Sequence, residues 1–169
     1  MINNRKMNTV KRIAFAASDN NRKSLIEWSY YNQEILKNHE LIATGAMAGI
    51  LEGTIGVPVT RLAEGTAAAN QQLASMIAEQ KIDILIFFWD PVQPLQLENG
   101  IRYLHDIAVT NNIITACNLA TADFVLSSVL MDKTHMVPVL PDTQYTGKST
   151  GYFNNHDSRR VVLKVNTIN

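Results

Sequence analysis

The stretch Lys81-Ile-Asp-Ile-Leu-Ile-Phe-Phe-Trp-Asp-Pro91 contains an uninterrupted apolar run from Ile84 to Trp89. Because the run has no polar face, it is typical of a strand that is buried on both sides, as in a parallel sheet covered by helices. Pro91 cannot donate a hydrogen bond to a neighbouring strand and ends the run. The stretch therefore predicts a central strand with the carboxylate of Asp90 at its carboxyl end. Open α/β sheets bind ligands beyond that end, so we expect a functional site near Asp90.

Strand and helix patterns alternate along the rest of the chain. The strand patterns lie at residues 12–17, 40–43, 57–59, 84–89, 113–116 and 136–140. The helical patterns lie at residues 21–38, 44–49 and beyond, 64–80, 101–110 and 121–126. Pro58 makes the short strand at 57–59 an edge strand. This alternation predicts an α/β fold: a doubly wound three-layer sandwich with a mostly parallel sheet and helices on both faces.

One predicted domain is flanked by two segments that do not follow the pattern. Residues 1–11 are polar, and we expect a flexible amino terminus there. Residues 12–141 form the predicted domain, and residues 142–169 form a carboxyl-terminal extension. Within the extension, Arg160–Val165 predicts one extra strand, on a sheet edge or against a neighbouring subunit. An irregular loop is expected at residues 92–99.

The composition argues against several classes of protein. Lys and Arg number 15 and are balanced by 15 Asp and Glu, so charge does not favour nucleic acid or an anionic membrane as a partner. The single cysteine, Cys117, has no disulfide partner within the chain, which suits a reducing cytoplasm. No apolar run approaches the roughly 20 residues of a membrane span, and the amino terminus lacks the apolar segment of a secretion signal. We therefore expect a soluble, cytoplasmic protein.

Small and hydroxyl residues occupy three predicted strand-to-helix junctions, at residues 18–23, 44–49 and 64–70. The free N–H groups at the start of a helix bind phosphate, assisted by the helix dipole and by a nearby cation such as Arg22. The same residue types also occur in ordinary capped turns, and none of the junctions matches a phosphate loop or a dinucleotide fingerprint. The candidate phosphate-binding residues are Arg22, Thr44, Gly45, Glu64, Gly65 and Thr66.

Motifs in four places closely resemble methylglyoxal synthase: Ile42–Gly45, Asn70–Gln72, the 81–91 stretch and Asn118–Phe124. The resemblance extends over about residues 12–141 and implies a small doubly wound α/β domain assembled as a homohexamer. It also implies the conversion of dihydroxyacetone phosphate to methylglyoxal and inorganic phosphate, without a metal or an organic cofactor. The expected partner is therefore a small phosphorylated metabolite or phosphate.

Residues at the reaction centre of that family are altered in this chain. The resemblance implies Asp19, Asn70 and Asp90 as catalytic positions. The family's base is a carboxylate, whereas Asn70 is an amide, which has no basic lone pair near neutral pH and cannot take a proton from the substrate. Ser18 and Leu97 stand where the family carries histidines. The loss of a required acid–base group commonly costs about 10²–10⁴-fold in rate.

Three functions remain open at this point. The first is a family member that keeps the scaffold and part of the phosphate site and acts as a ligand-binding or regulatory protein, alone or beside an active paralogue, with little or no lyase activity. The second is a functional methylglyoxal synthase that uses a substitute carboxylate: Asp19, Asp90, Glu64 or Glu98. The third is a different lyase or isomerase reaction on the same scaffold. We adopt the first as the working hypothesis.

Overall fold

The computed structural model describes residues 3–90, 92 and 95–139, without the side chains of residues 95–101. The strands in these ranges are β1 (Asn4–Met7), β2 (Arg12–Ala17), β3 (Glu40–Thr44), β4 (Val59–Leu62), β5 (Ile84–Phe88), β6 (Ile114–Ala116) and β7 (His135–Pro138). The helices are α1 (Arg22–Tyr31), α2 (Gln33–Leu36), α3 (Gly45–Ile55), α4 (Thr66–Ala78), α5 (Leu95–Thr110) and α6 (Leu119–Leu126). A short 3₁₀ turn, Asp19–Asn21, connects β2 to α1. Within the described part of the chain, no helix has the length and apolarity needed to cross a membrane.

Strand β2 lies at the centre of a five-stranded sheet with the order β4-β3-β2-β5-β6, in which all neighbours are parallel. It pairs with β3 on one side, where Ile13 lies opposite Leu41, and with β5 on the other, where Ile13 lies opposite Ile84. Every residue of β5 is buried, as its apolar sequence predicts. The α/β class and the parallel sheet are therefore confirmed, with β5 as an interior strand.

Helices cover both faces of this sheet. Successive side chains of a strand point to opposite faces. Accordingly, Ile13 and Phe15 of β2 pack in one apolar cluster with α1, α2, α3 and α6. Ala14 and Ala16 pack in a second cluster, formed with α4 and α5. The result is the predicted three-layer sandwich.

Some element boundaries differ from the prediction for local reasons. The helix expected at 21–38 is divided at Asn32, whose backbone (φ −104°, ψ 12°) is not helical, into α1 and α2. Helix α5 begins at Leu95 instead of residue 101, because the Leu-Gln-Leu-Glu sequence at 95–98 consists of strong helix formers. Strand β4 begins at Val59, after the proline, and lies on the expected edge of the sheet.

The amino-terminal segment differs from the prediction of a flexible terminus at residues 1–11. Residues 4–7 form β1, which pairs antiparallel with β7, so that Met7 lies opposite His135. Arg5 and Met7 are both buried. The sequence predicts β7 as a further strand of the main sheet, whereas it forms a separate two-stranded sheet with β1. The predicted extension at 142–169, with its strand at 160–165, lies outside the described residues.

A buried carboxylate, Asp83, attaches β1 to the main sheet. Its Oδ1 accepts hydrogen bonds from Nη1 of Arg5 and, at 2.9 Å, from Nη2 of Arg12. Its Oδ2 accepts from the backbone N–H of Arg12 at 2.9 Å and from Nε of the same residue at 3.0 Å. Burial disfavours the charged carboxylate, but the hydrogen bonds of Arg12 and the positive charges of both arginines outweigh it, so the pKa of Asp83 lies below its ordinary value.

Replacing Asp83 with asparagine is expected to destabilise the fold by about 3–5 kcal/mol, because one side of a buried ion pair is lost. The guanidinium of Arg5, only 5% exposed, would remain without a counter-charge. Urea unfolding followed by circular dichroism measures the free energy of unfolding. Asp106→Asn serves as the control, since that carboxylate is 55% exposed.

The same pair of proteins tests the pKa of Asp83. Because that pKa is lowered in the folded state, its contribution to stability is present above the unfolded value of about 3.9 and is lost as the pH falls through the folded value. The free energy of unfolding of the wild type should therefore fall more steeply than that of Asp83→Asn from about pH 5 to about pH 2. Parallel pH profiles for the two proteins would contradict the assignment.

Candidate ligand-binding site

A cavity of about 260 Å³ lies where the carboxyl ends of β2 and β3 meet the beginnings of α1, α3 and α4. This is the position at which open α/β sheets bind ligands. The residues come from the three junctions singled out in the sequence, which the parallel sheet brings to one edge. The lining includes all the sequence-predicted site residues except Asp90: Asp19, Arg22, Thr44, Gly45, Glu64, Gly65, Thr66 and Asn70.

One wall of the cavity is formed where β3 continues directly into α3. Thr44 is both the last residue of β3 and the N-cap of α3, and Gly45 is the first helical residue. The side chain of Thr44 makes no capping hydrogen bond. The first N–H groups of a helix have no partner within that helix, so the start of α3 offers donors at the cavity.

The opposite wall is formed by the segment that leads from β4 into α4. Gly65, the N-cap of α4, has φ 85° and ψ 141°, a conformation that essentially only glycine adopts without strain. The side-chain oxygen of Gln72 accepts a hydrogen bond from the N–H of Ala63 at 2.7 Å and so holds the segment against α4. Asn70, in the second turn of α4, is half-buried and lines the cavity.

The charged side chains of the cavity lie against other groups of the same chain. Nη2 of Arg22 donates a hydrogen bond to Oδ1 of Asp19 at 2.7 Å, and both side chains are solvent-accessible, at 45% and 85% exposure. The carboxylate of Glu64 lies against Gly45. Hydrogen-bond donors and carboxylates therefore share this cavity. Among the described residues, no group of three or more His, Cys, Asp or Glu side chains is placed to hold a metal ion.

Asp90, the third expected catalytic position, is not among the residues that line the cavity. Its Oδ2 accepts a hydrogen bond from the side-chain amide of Asn20 at 2.7 Å, and its Oδ1 accepts from the N–H of Val92 at 2.9 Å. These two bonds, that of Asn20 being the larger effect, lower the pKa of Asp90. The carboxylate is thereby bonded to the 3₁₀ turn that carries Asp19.

The sequence did not reveal the role of Ser18, which anchors the beginning of the same turn. Its N–H donates to the carbonyl of Phe88 at 3.2 Å, which joins the ends of β2 and β5. Its Oγ accepts a hydrogen bond from Nδ2 of Asn21 at 3.0 Å. A serine at a strand end, followed three residues later by asparagine, is the local signal that could have predicted this contact.

The Asn118–Phe124 motif joins helices and does not line the cavity. Asn118, not the predicted 121–123 stretch, is the N-cap of α6, and its side chain accepts from the N–H of Thr121 at 2.9 Å. Oδ1 of Asp123 accepts a hydrogen bond from the indole N–H of Trp28 at 2.7 Å. Trp28 in turn packs edge-to-face on Phe88, with ring centroids 6.0 Å apart. The motif therefore attaches α6 to α1.

Similarity to known proteins covers most of the chain. Residues 24–117 match the family model of the MGS-like domain. A methylglyoxal synthase of Coxiella burnetii is 44% identical over 134 residues, which cover 79% of this chain and 93% of the relative. This chain belongs to the methylglyoxal synthase family.

Further members of the methylglyoxal synthase family agree with this assignment. The synthase of Photorhabdus laumondii is 40% identical over 141 residues, covering 83% of this chain and 92% of that protein. The crystal structure of methylglyoxal synthase from Elizabethkingia anophelis superimposes with a TM-score of 0.74 at 36% identity, covering 89% of this chain and 99% of that one. The resemblance stated from the motifs is therefore confirmed, as is the family fold.

Replacing Gly65 with alanine is expected to cost about 1–3 kcal/mol of stability, because alanine is strained at φ 85°. Gly53→Ala in α3 is the matched control, since no atom lies within 4 Å of the added methyl group. In a helix, that change is expected to be stabilising by up to about 1 kcal/mol. Urea unfolding compares the two, and equal free energies of unfolding would contradict a strained role for position 65.

Proposed function

We propose that this protein is a methylglyoxal synthase homologue that binds a small phosphorylated metabolite and has little or no dihydroxyacetone phosphate lyase activity. The observation that carries the proposal is Asn70. It lines the cavity at the position where the resemblance implies the family's catalytic carboxylate, and it is an amide. The elimination requires a base that removes a proton beside the carbonyl, and an amide cannot serve as that base near neutral pH.

Among the described side chains, two of the remaining carboxylates near the cavity are hydrogen-bonded to groups of the chain, and the side chain of Glu98 lies outside the described residues. Asp19 accepts the hydrogen bond of Arg22. Asp90 is bonded to Asn20 and Val92, outside the lining. Glu64 lies on Gly45. A base must reach the proton it abstracts at hydrogen-bond distance, so the contacts of Asp19 and Asp90 disfavour either of them as a substitute base.

Binding of a phosphorylated ligand is supported by the donors that remain. The beginnings of α3 and α4 contribute backbone N–H groups, and Arg22 contributes a guanidinium, the side chain best suited to phosphate oxygens. A volume of about 260 Å³ is slightly smaller than the roughly 300–1,000 Å³ of typical ligand pockets, which suits a small metabolite. Part of the phosphate site is therefore kept while the reaction centre is altered.

We further propose that the protein is cytoplasmic and forms a homo-oligomer, which the family resemblance implies is a hexamer. One role of this assembly would be the regulation of an active paralogue. Exposed aromatic side chains support an assembly. Tyr31 is 82% exposed and Phe124 is 83% exposed, so both are available for contacts with other subunits.

A second candidate is a functional methylglyoxal synthase in which Glu64 acts as the base. Its support is that Glu64 and Asn70 line the same cavity. In that case the carboxylate would have to leave Gly45 and reach the substrate carbon next to the carbonyl.

An assay of the purified protein with dihydroxyacetone phosphate separates the two candidates. We expect no methylglyoxal or phosphate above the uncatalysed level, because a missing base costs about 10²–10⁴-fold in rate. Asn70→Asp and Glu64→Gln are assayed beside the wild type, with the Coxiella burnetii synthase as the positive control. Turnover by the wild type that Asn70→Asp barely changes, and that Glu64→Gln abolishes, would establish the second candidate.

Binding of phosphate is tested by the thermal stability of the protein as phosphate is added. A ligand that binds only the folded state raises Tm, so the wild type should be stabilised. Arg22→Ala is expected to weaken binding by about 10–100-fold, the value of a charge-assisted hydrogen bond of roughly 1.5–3 kcal/mol. Lys23→Ala is the control, since Lys23 is 87% exposed and does not line the cavity. Equal phosphate-induced Tm shifts in the two variants would contradict a binding role for Arg22.

A further inference from the structure

The carboxylate of Glu64 occupies a place in the cavity that is open only because residue 45 is glycine. A methyl group built on Gly45 would lie 2.2 Å from Oε1 and 2.7 Å from Cδ of Glu64, far inside van der Waals contact. The acid group of Glu64 therefore rests on the backbone at the first residue of α3.

The cavity has two sources of positive charge, the guanidinium of Arg22 and the N-terminal end of α3. Each of them lies beside a carboxylate of the chain itself. The guanidinium of Arg22 has Asp19 as its partner at 2.7 Å. The positive end of the α3 dipole has Glu64 beside it, an arrangement in which a negative charge is favourable. A phosphate that entered the cavity would compete with both carboxylates and would be repelled by them.

We propose that Glu64 is a specificity-determining residue that competes with phosphate from within the cavity, so that an anionic ligand binds only by displacing its carboxylate from Gly45. This inference rests on the proposed function, namely the binding of a phosphorylated metabolite. It deepens that function, because it makes the affinity for phosphate depend on the position of one side chain.

Displacement of Glu64 requires no change in the core of the protein. The residue as a whole is exposed and lies in the segment between β4 and α4, so its side chain can turn into solvent. The contact with Gly45 involves the far end of a flexible side chain, whereas Gly45 itself is buried. The ligand therefore displaces the carboxylate and leaves the helix in place.

The test measures the affinity for inorganic phosphate, and separately for dihydroxyacetone phosphate, by isothermal titration calorimetry. Glu64→Gln removes the charge with little change in shape. Glu64→Asp keeps the charge but is one methylene shorter, so its carboxylate is withdrawn from Gly45. Glu79→Gln is the matched control, because it makes the same change of charge at the other end of α4.

Glu64→Gln is expected to bind phosphate at least tenfold more tightly than the wild type, with Glu64→Asp between them and Glu79→Gln unchanged. Measurable and equal affinity in the wild type and Glu64→Gln would overturn the competition while leaving the proposed binding function intact. The absence of binding in both proteins would overturn the competition and the binding function together, because removal of a competitor must reveal the site. An equal gain in phosphate affinity in Glu79→Gln and Glu64→Gln would show that the effect arises from net charge alone. That result would also overturn the proposal.

Discussion

The parallel pairing of β2 with β3 and with β5 is the constraint on which the arrangement of this protein depends. In a parallel sheet the carboxyl ends of all strands lie along the same side of the sheet. Each connection must therefore return across a face of the sheet. Segments that are far apart in sequence, at residues 18–22, 44–45 and 64–70, therefore meet at one edge and enclose a cavity. The N–H of Ser18 extends this pairing beyond β2 by donating to Phe88, so the turn beside the cavity is a continuation of the sheet.

The features that depend on local sequence could be predicted, and those that depend on distant partners could not. The apolar run at 84–88 has no polar face, so its burial follows from its residues alone. The polar stretch that forms β1 predicts an unstructured terminus, because its burial depends on a carboxylate 78 residues away. The same limitation applies to Asp90. A carboxylate at the end of an interior strand is expected in a site, but its direction is determined by Asn20, which lies on another strand connection.

The scaffold and the cavity are stabilised by different residues. The two apolar clusters that hold the helices on the sheet are built from residues such as Leu25, Leu51, Leu73 and Leu104, which do not line the cavity. Changes at Ser18, Asn70 or Glu64 therefore leave most of the packing untouched. The fold that this chain shares with a methylglyoxal synthase at 44% identity is therefore maintained largely by residues outside the cavity. Function must accordingly be argued from the site, because the fold alone does not specify it.

No residue separates β3 from α3, so the two walls of the cavity differ in how directly they are connected to the sheet. Thr44 serves both elements, so α3 cannot slide or tilt at its start without pulling on the hydrogen bonds that join β3 to β2 and β4. On the opposite side, Ala63, Glu64 and Gly65 separate β4, an edge strand, from α4. The start of α3 is therefore held in place by the sheet, whereas the β4–α4 segment is less constrained. We therefore expect the β4–α4 segment to move more readily than the start of α3.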